Sequence, residues 1–151
     1  MQSKNQRTWI LIADSSRARI LSNDSRSGGL TPVEGQVFRS PHPRLREILS
    51  DRPGRSFDSV GSGRHAMEYS ADSRREDDRA FAKKLASVLE EAQRRNEYDR
   101  LVLAAAPRTL GDLRAILPDQ VKAVVCAEVD KDLTQIPNSD LPKHFEGILA
   151  V

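Results

Sequence analysis

The residues best suited to chemistry lie in Asp51 to Tyr69, DRPGRSFDSVGSGRHAMEY, a stretch too rich in glycine, serine and charge to form a core element. Arg52-Pro53-Gly54-Arg55 has the signature of a type II turn, with proline presetting φ at the second position and glycine tolerating positive φ at the third. Gly61-Ser62-Gly63-Arg64-His65 follows, where backbone without side chains can approach a ligand and where a guanidinium and an imidazole flank that backbone. Exposed amides and guanidinium groups both donate to phosphate oxygens. The loop, taken as residues 50–72, therefore fits contact with RNA, with Arg52, Arg55, Gly61, Gly63, Arg64 and His65 as the candidate nucleic-acid-binding residues. Its bland counterpart is a solvated loop in which Asp51 and Asp58 pair with Arg52 and Arg55, and in which Phe57 and Tyr69 anchor to the core rather than stack on bases.

Other chemistries find less support. His42, His65 and His144 are far apart and have no carboxylate at metal-ligand spacing, and Asp130 and Asp132 are of the kind that cap turns, so no metal is expected. GSGRHA formally fits a dinucleotide fingerprint, but it does not follow the first strand of a βαβ unit, where its glycines would have meaning. Ser62 and His65 are neighbours in sequence, which does not make a nucleophile and base, although a hydrolase using His65 as general base is a competing hypothesis. The single cysteine, Cys126, excludes an internal disulfide and is expected to be a buried, inert thiol in an apolar run. No cofactor is called for.

Charge narrows the partners further. Against 22 Asp+Glu the chain carries 24 Lys+Arg, a net +2, so any site for a polyanion is local rather than a property of the whole surface. Between Lys4 and Lys83 every basic side chain other than histidine is arginine, the residue whose planar fork suits phosphate or carboxylate. A GC-rich genome would leave the same bias. The apolar run before Asp14 is too short for a secretory or transmembrane segment, so a cytoplasmic protein is expected.

The elements that must position the loop follow from periodicity. At 151 residues, 38% of them hydrophobic, the chain suits one domain with one core. Thr8 to Ala13 predicts a central strand buried on both faces, and Arg17 to Leu21 an antiparallel neighbour with Ala18 and Ile20 inward and the arginines outward. Leu30 to Phe38 predicts a third strand with a bulge at Gly35, and Pro43 opens a short helix through Leu49. A long helix over 74–96 is expected, with Ser73 as N-cap, Glu76 as its capping-box partner and Phe81, Leu85, Val88, Leu89 and Ala92 on the buried stripe.

Beyond it, Leu101 to Ala106 predicts a strand, Thr109 caps a helix closed by Pro118, and Val121 to Val129 forms a strand parallel to the one at 101–106. Leu141, Phe145, Ile148 and Leu149 mark a terminal helix. The fold class is α/β: a mixed sheet of about five strands with an N-terminal hairpin and covering helices. The alternative, a Rossmann-like domain, is disfavoured by the hairpin.

Four blocks, WILIADSSRARIL, SDRPGRSFDSVGSGRHAMEY, LVLAAAPRTLGDLR and VDKDLTQIPNSDLPKHF, occur in an order that resembles the bacterial host attachment protein family, named for a role in attachment of bacteria to host cells. That family is in turn distantly similar to the middle domain of archaeal and eukaryotic peptide-chain release factors, in which a Gly-Gly-Gln loop precedes a long helix and promotes hydrolysis of peptidyl-tRNA. The resemblance implies a release-factor-like fold and contact with the ribosome or structured RNA, with Gly61, Gly63, Arg64 and His65 in the corresponding loop. No Gly-Gly-Gln occurs in this chain, so the resemblance does not bring peptidyl-tRNA hydrolysis with it. A role in attachment would then be indirect, through translation or expression of other proteins; direct action at the cell surface is the alternative. Oligomeric state is left open.

Overall fold

A computed structural model describes residues 6–24, 26, 28–41 and 70–149. Five strands form one mixed sheet: β1 (Arg7–Ala13), β2 (Arg17–Asp24), β3 (Gly28–Arg39), β4 (Arg100–Ala105) and β5 (Val125–Val129). Their spatial order is β3-β2-β1-β4-β5. β1 pairs antiparallel with β2 and parallel with β4, β2 pairs antiparallel with β3, and β4 pairs parallel with β5. The expected architecture is therefore present among the described residues: an N-terminal hairpin on one side and a parallel αβ half on the other.

β1 holds the centre. Six of its seven residues, Thr8 to Ala13, are buried, and they divide by the period of two that alternates side chains across a strand. Trp9, Leu11 and Ala13 face a cluster with Leu101, Leu103 and Ala105 of β4 and with the helices; Ile10 and Ile12 face Val102, Ala104, Leu133, Leu141, Phe145 and Leu149. Helices thus cover one face, and the C-terminal segment covers the other.

The long helix α1 (Ala71–Arg94) supplies most of the first cover through Phe81, Ala82, Leu85, Ala86, Leu89 and Ala92. It starts earlier than expected: its N-cap is Ser70, whose Oγ accepts from the Ser73 amide at 3.0 Å. Nothing in Ala71-Asp72 opposes helix, so the first of two serines spaced three apart becomes the cap and Ser73 supplies the amide that is capped. The other end closes with Asn96 at φ 61°, its amide on Gln93 O and the Glu97 amide on Ala92 O, the paired bonds of a Schellman motif. Tyr98 follows at once. Its ring stacks on Trp9 at 5.0 Å and its hydroxyl donates to Leu89 O at 2.7 Å, locking the helix end onto β1.

The shorter elements depart from expectation for local reasons. Helix α2 (Pro107–Ile116) begins directly after β4 because Pro107 is already at helical φ, so Thr109 and Asp112 lie buried within the helix instead of capping it. Pro118 precedes a four-residue helix α3 (Asp119–Lys122) that takes Val121 into the core, so the last strand begins at Val125 rather than Val121. At the C-terminus, 3₁₀ turns at Asn138–Asp140 and Pro142–Phe145 replace the expected α-helix. Pro142 tightens the start, and Gly147 at φ 84° takes the chain out of helical space. Leu141, Phe145 and Leu149 still point inward, while Ile148 is exposed.

Two side-chain expectations are also overturned. Cys126 is exposed, because the β4–β5 register shifts between Leu101 and Val102: Leu101 pairs with Val125 and Val102 with Ala127, leaving Cys126 as the bulged residue. Arg19 does not point to solvent but binds the C-terminal segment, with Nε on Asn138 Oδ1 at 2.9 Å and Nη1 on Thr134 O at 3.1 Å. The irregularity expected at Gly35 is present, at φ 78° and within the break of the β2–β3 register between Pro32 and Val37. The short helix expected from Pro43 lies outside the described residues.

Two outcomes test this packing. Phe145→Ala, which empties a fully buried position, is expected to lower stability by about 3–5 kcal/mol in urea unfolding, whereas Ile148→Ala changes it by less than about 0.5 kcal/mol. Burial pushes the Tyr98 hydroxyl up to about 12, against about 10 in the unfolded chain. Between those values the unfolded state releases a proton that the folded state keeps, so stability present below pH ~10 is lost as pH rises towards ~12. Tyr98→Phe should flatten that alkaline limb while costing about 1 kcal/mol at pH 8 from the lost hydrogen bond.

Candidate functional site

Every parallel strand of the sheet runs its carboxyl end to the same edge, where open α/β sheets take their ligands. Ala13 of β1 pairs there with Ala105 of β4. Asp14 comes next after β1, and Arg108 lies in the first turn of α2 after β4.

Asp14 organises the tight connection from β1 to β2. Its Oδ1 accepts the Ser16 and Arg17 amides, each at 2.8 Å, and its Oδ2 accepts from Arg17 Nε at 3.2 Å and from Thr134 Oγ1 at 3.4 Å. This is how a short carboxylate closes a turn: it replaces missing backbone partners with its own oxygens. Thr134 is held in turn by Asp132 Oδ1, which accepts both its amide at 3.0 Å and its hydroxyl. Asp132 thus serves a turn, and among the described residues no group of three or more His, Cys, Asp or Glu is placed to hold a metal ion.

The loop on which the sequence argument rested, with Arg52, Arg55, Gly61, Gly63, Arg64 and His65, lies outside the described residues, as does His42. The flanks of that loop are described. On one side the Ser40 amide donates to Ser16 O at 2.7 Å, fixing the end of β3 to the β1–β2 turn. On the other, Arg75 in the second turn of α1 grips the buried carboxylate of Asp112 on α2 through both terminal nitrogens and lies 3.9 Å from Asp78. Hydrogen bonding to Asp112 holds the Arg75 guanidinium above its ordinary pKa against the cost of burial, and the charges of Asp112 and Asp78 act in the same direction as the hydrogen bond.

The position of α1 explains why both flanks meet this edge. The helix ends beside the amino end of β4, where the Asp99 amide donates to Arg7 O at 2.8 Å. Its 24 residues extend about 36 Å, while the six residues of β4 extend about 20 Å. Its first turns therefore pass the carboxyl ends of the strands.

Sequence reasoning missed a second group of residues. Arg17, Arg19, Val37, Phe38, Arg39 and Thr134 line a groove of about 180 Å³ between the β2–β3 ribbon and the start of the C-terminal segment. The alternation of RAR in β2 was legible, but that three arginines would converge depended on the Arg17–Arg39 pairing across strands. His144 lies apart from this groove, half-buried on the second 3₁₀ turn.

A family model described as "Protein required for attachment to host cells" matches residues 9–145. No curated protein matches the sequence. Among solved structures, one from a structural study of the Aquifex aeolicus PPX-GPPA enzyme is similar, with 14% identity and a TM-score of 0.40. The match covers 83% of this chain and 36% of that one, so the chain spans well under half of that protein's length. Among the described residues no helix is long and apolar enough to cross a membrane.

The Arg75–Asp112 pair is expected to brace this edge. In a double-mutant cycle with Arg75→Ala and Asp112→Ala the coupling should be about 1.5–3 kcal/mol. The same cycle on the exposed Arg95–Glu91 pair of α1 should give less than about 1 kcal/mol.

Proposed function

The chain belongs to the family of proteins required for attachment to host cells, and we propose that within it the protein acts as a non-catalytic RNA- or ribosome-binding protein whose effect on attachment is indirect. In this reading the Arg/Gly-rich loop makes the contact, with Arg52, Arg55 and Arg64 and the amides around Gly61 and Gly63 donating to phosphate and His65 beside them. The distant similarity of the family to the middle domain of peptide-chain release factors, in which a glycine-rich loop before a long helix does the work, belongs to the same proposal.

The observation that carries it is the fixing of both flanks of the loop at one edge of the sheet. Ser40 is bonded to the β1–β2 turn and Arg75 is bonded to α2, so the described residues on either side of the loop lie near the carboxyl ends of β1 and β4. Cations flank that place: Arg17 and Arg39 on the ribbon and Arg108 in the first turn of α2. Guanidinium groups and exposed amides match phosphate oxygens in charge and geometry. Because the net charge is only +2, such binding depends on these local groups rather than on a general field.

Co-sedimentation with ribosomes from a bacterial lysate tests the reading. The expected result is association at low salt that weakens at moderate salt, as phosphate contacts require, and that is lost in the Arg55→Ala, Arg64→Ala double variant. If neither form sediments with ribosomes at low salt, the proposal fails, and cell-surface fractions become the place to look for direct action in attachment.

A further inference from the structure

We propose that the first turn of α2 seats one phosphate group of an RNA backbone, with the Thr109 hydroxyl among its donors, an assignment that rests on the RNA binding proposed above for this edge. The topology marks the place. After β1 the chain passes to β2 on one side, and after β4 it passes through α2 to β5 on the other. The carboxyl ends of β1 and β4, paired in register up to Ala13 and Ala105, are the point where the connections diverge, and open α/β sheets take ligands at such a point.

α2 opens there without a side-chain cap. Its N-cap is Ala106, whose methyl group accepts nothing, and its first turn carries no acidic residue. Pro107 has no amide to place, and the Leu110 amide bonds to Ala106 O at 2.9 Å. Among the described residues the Arg108 and Thr109 amides between them meet no acceptor. Free amides at the positive end of a helix favour an anion. The acidic groups of this edge are already matched, Asp14 by Arg17 and the amides of its turn and Asp112 by Arg75, so neither stands as an uncompensated charge against one.

Thr109 is the independent sign of a ligand. It is 6% exposed, yet among the described residues its hydroxyl has no hydrogen-bond partner. A buried hydroxyl without a partner is destabilising, so for packing alone valine would serve better. Among the described residues no unpaired side-chain oxygen is sealed from the surface, so this hydroxyl keeps an opening. The Cα–Cβ bonds of a helix lean towards its amino end, which aims the Thr109 side chain at the uncapped start of α2. One hydroxyl and two amides there suit the oxygens of a single phosphate group. The exposed Arg108 adds a positive charge beside them.

Heteronuclear NMR of the whole protein at pH 7.5, titrated with inorganic phosphate against chloride at equal ionic strength, tests the seat. Saturable shifts of the Arg108, Thr109 and Leu110 amides with phosphate alone are expected, and an RNA oligonucleotide lacking terminal phosphates should move the same amides. Thr109→Val should weaken both responses about tenfold, the loss of one charge-assisted hydrogen bond, and Thr109→Ser should keep them. Because the hydroxyl has no partner within the protein, urea unfolding should find Thr109→Val no less stable than the unaltered chain. Phosphate shifts that do not saturate, that chloride reproduces, or that are as strong in Thr109→Val would overturn the seat, whether or not the protein sediments with ribosomes. A Thr109→Val protein that unfolds more readily would overturn it too, since the hydroxyl would then serve the fold. Saturation by phosphate in a protein whose α2 amides RNA does not shift would overturn the assignment to RNA and leave the phosphate seat in place.

Discussion

The rest of the structure depends on β1 being buried on both faces. A strand in that position has no water to satisfy its backbone, so every amide and carbonyl must find a partner in the sheet. β2 and β4 supply them on either side, each pairing along nearly the whole of β1. Burial of Ile10, Leu11 and Ile12 to 1% exposure or less contributes about 1.5–3 kcal/mol for each side chain. It also demands two separate covers, one from α1 and α2 and one from the Leu133 to Leu149 segment. The mixed sheet follows from this position: its hairpin half satisfies one side of β1 and its parallel half the other.

That arrangement sets what the carboxyl edge can be. The chain must turn sharply after Ala13 to come back as β2, and Asp14 makes this possible by accepting the amides the turn leaves without partners. The same carboxylate then reaches Thr134 in the distant C-terminal segment. One side chain therefore joins the hairpin to the second cover. The ends of β3 and α1 are brought to that turn and to α2 by bonds from Ser40 and Arg75. Surface ion pairs such as Arg94–Glu90 and Arg95–Glu91 add little to this framework.

Much of the fold was legible because burial on a strand or helix leaves a period in the sequence. TWILIA, LVLAA and the stripe Phe81, Leu85, Leu89, Ala92 all occupy the places their spacing implied. What was not legible turned on choices between nearly equal local signals. Ser70 and Ser73 could each cap α1, and Thr109 looked like a cap until Pro107 started its helix three residues sooner. VKAVVCAEV has the composition of one strand, yet Val121 reaches the core from a helical turn and a bulge turns Cys126 outward. Of the candidate site, the loop residues were chosen on composition and lie outside the described structure. The arginine groove was hidden for a different reason: Arg17 and Arg39 are 22 positions apart, and only strand pairing makes them neighbours.

The interruptions in β3 have a bearing on how the protein behaves in a crowded solution. β3 is an outer strand of 12 residues, long enough to act as a template on which a foreign strand could grow into a fibril. Pro32 offers no amide to such a strand, Gly35 at positive φ turns the ribbon, and the pairing with β2 shifts between Gly28 and Thr31 and again between Pro32 and Val37. An outer strand made irregular in this way resists edge-to-edge stacking. Val37, at 72% exposure its most open apolar side chain, is thereby kept from becoming the seed of an aggregate.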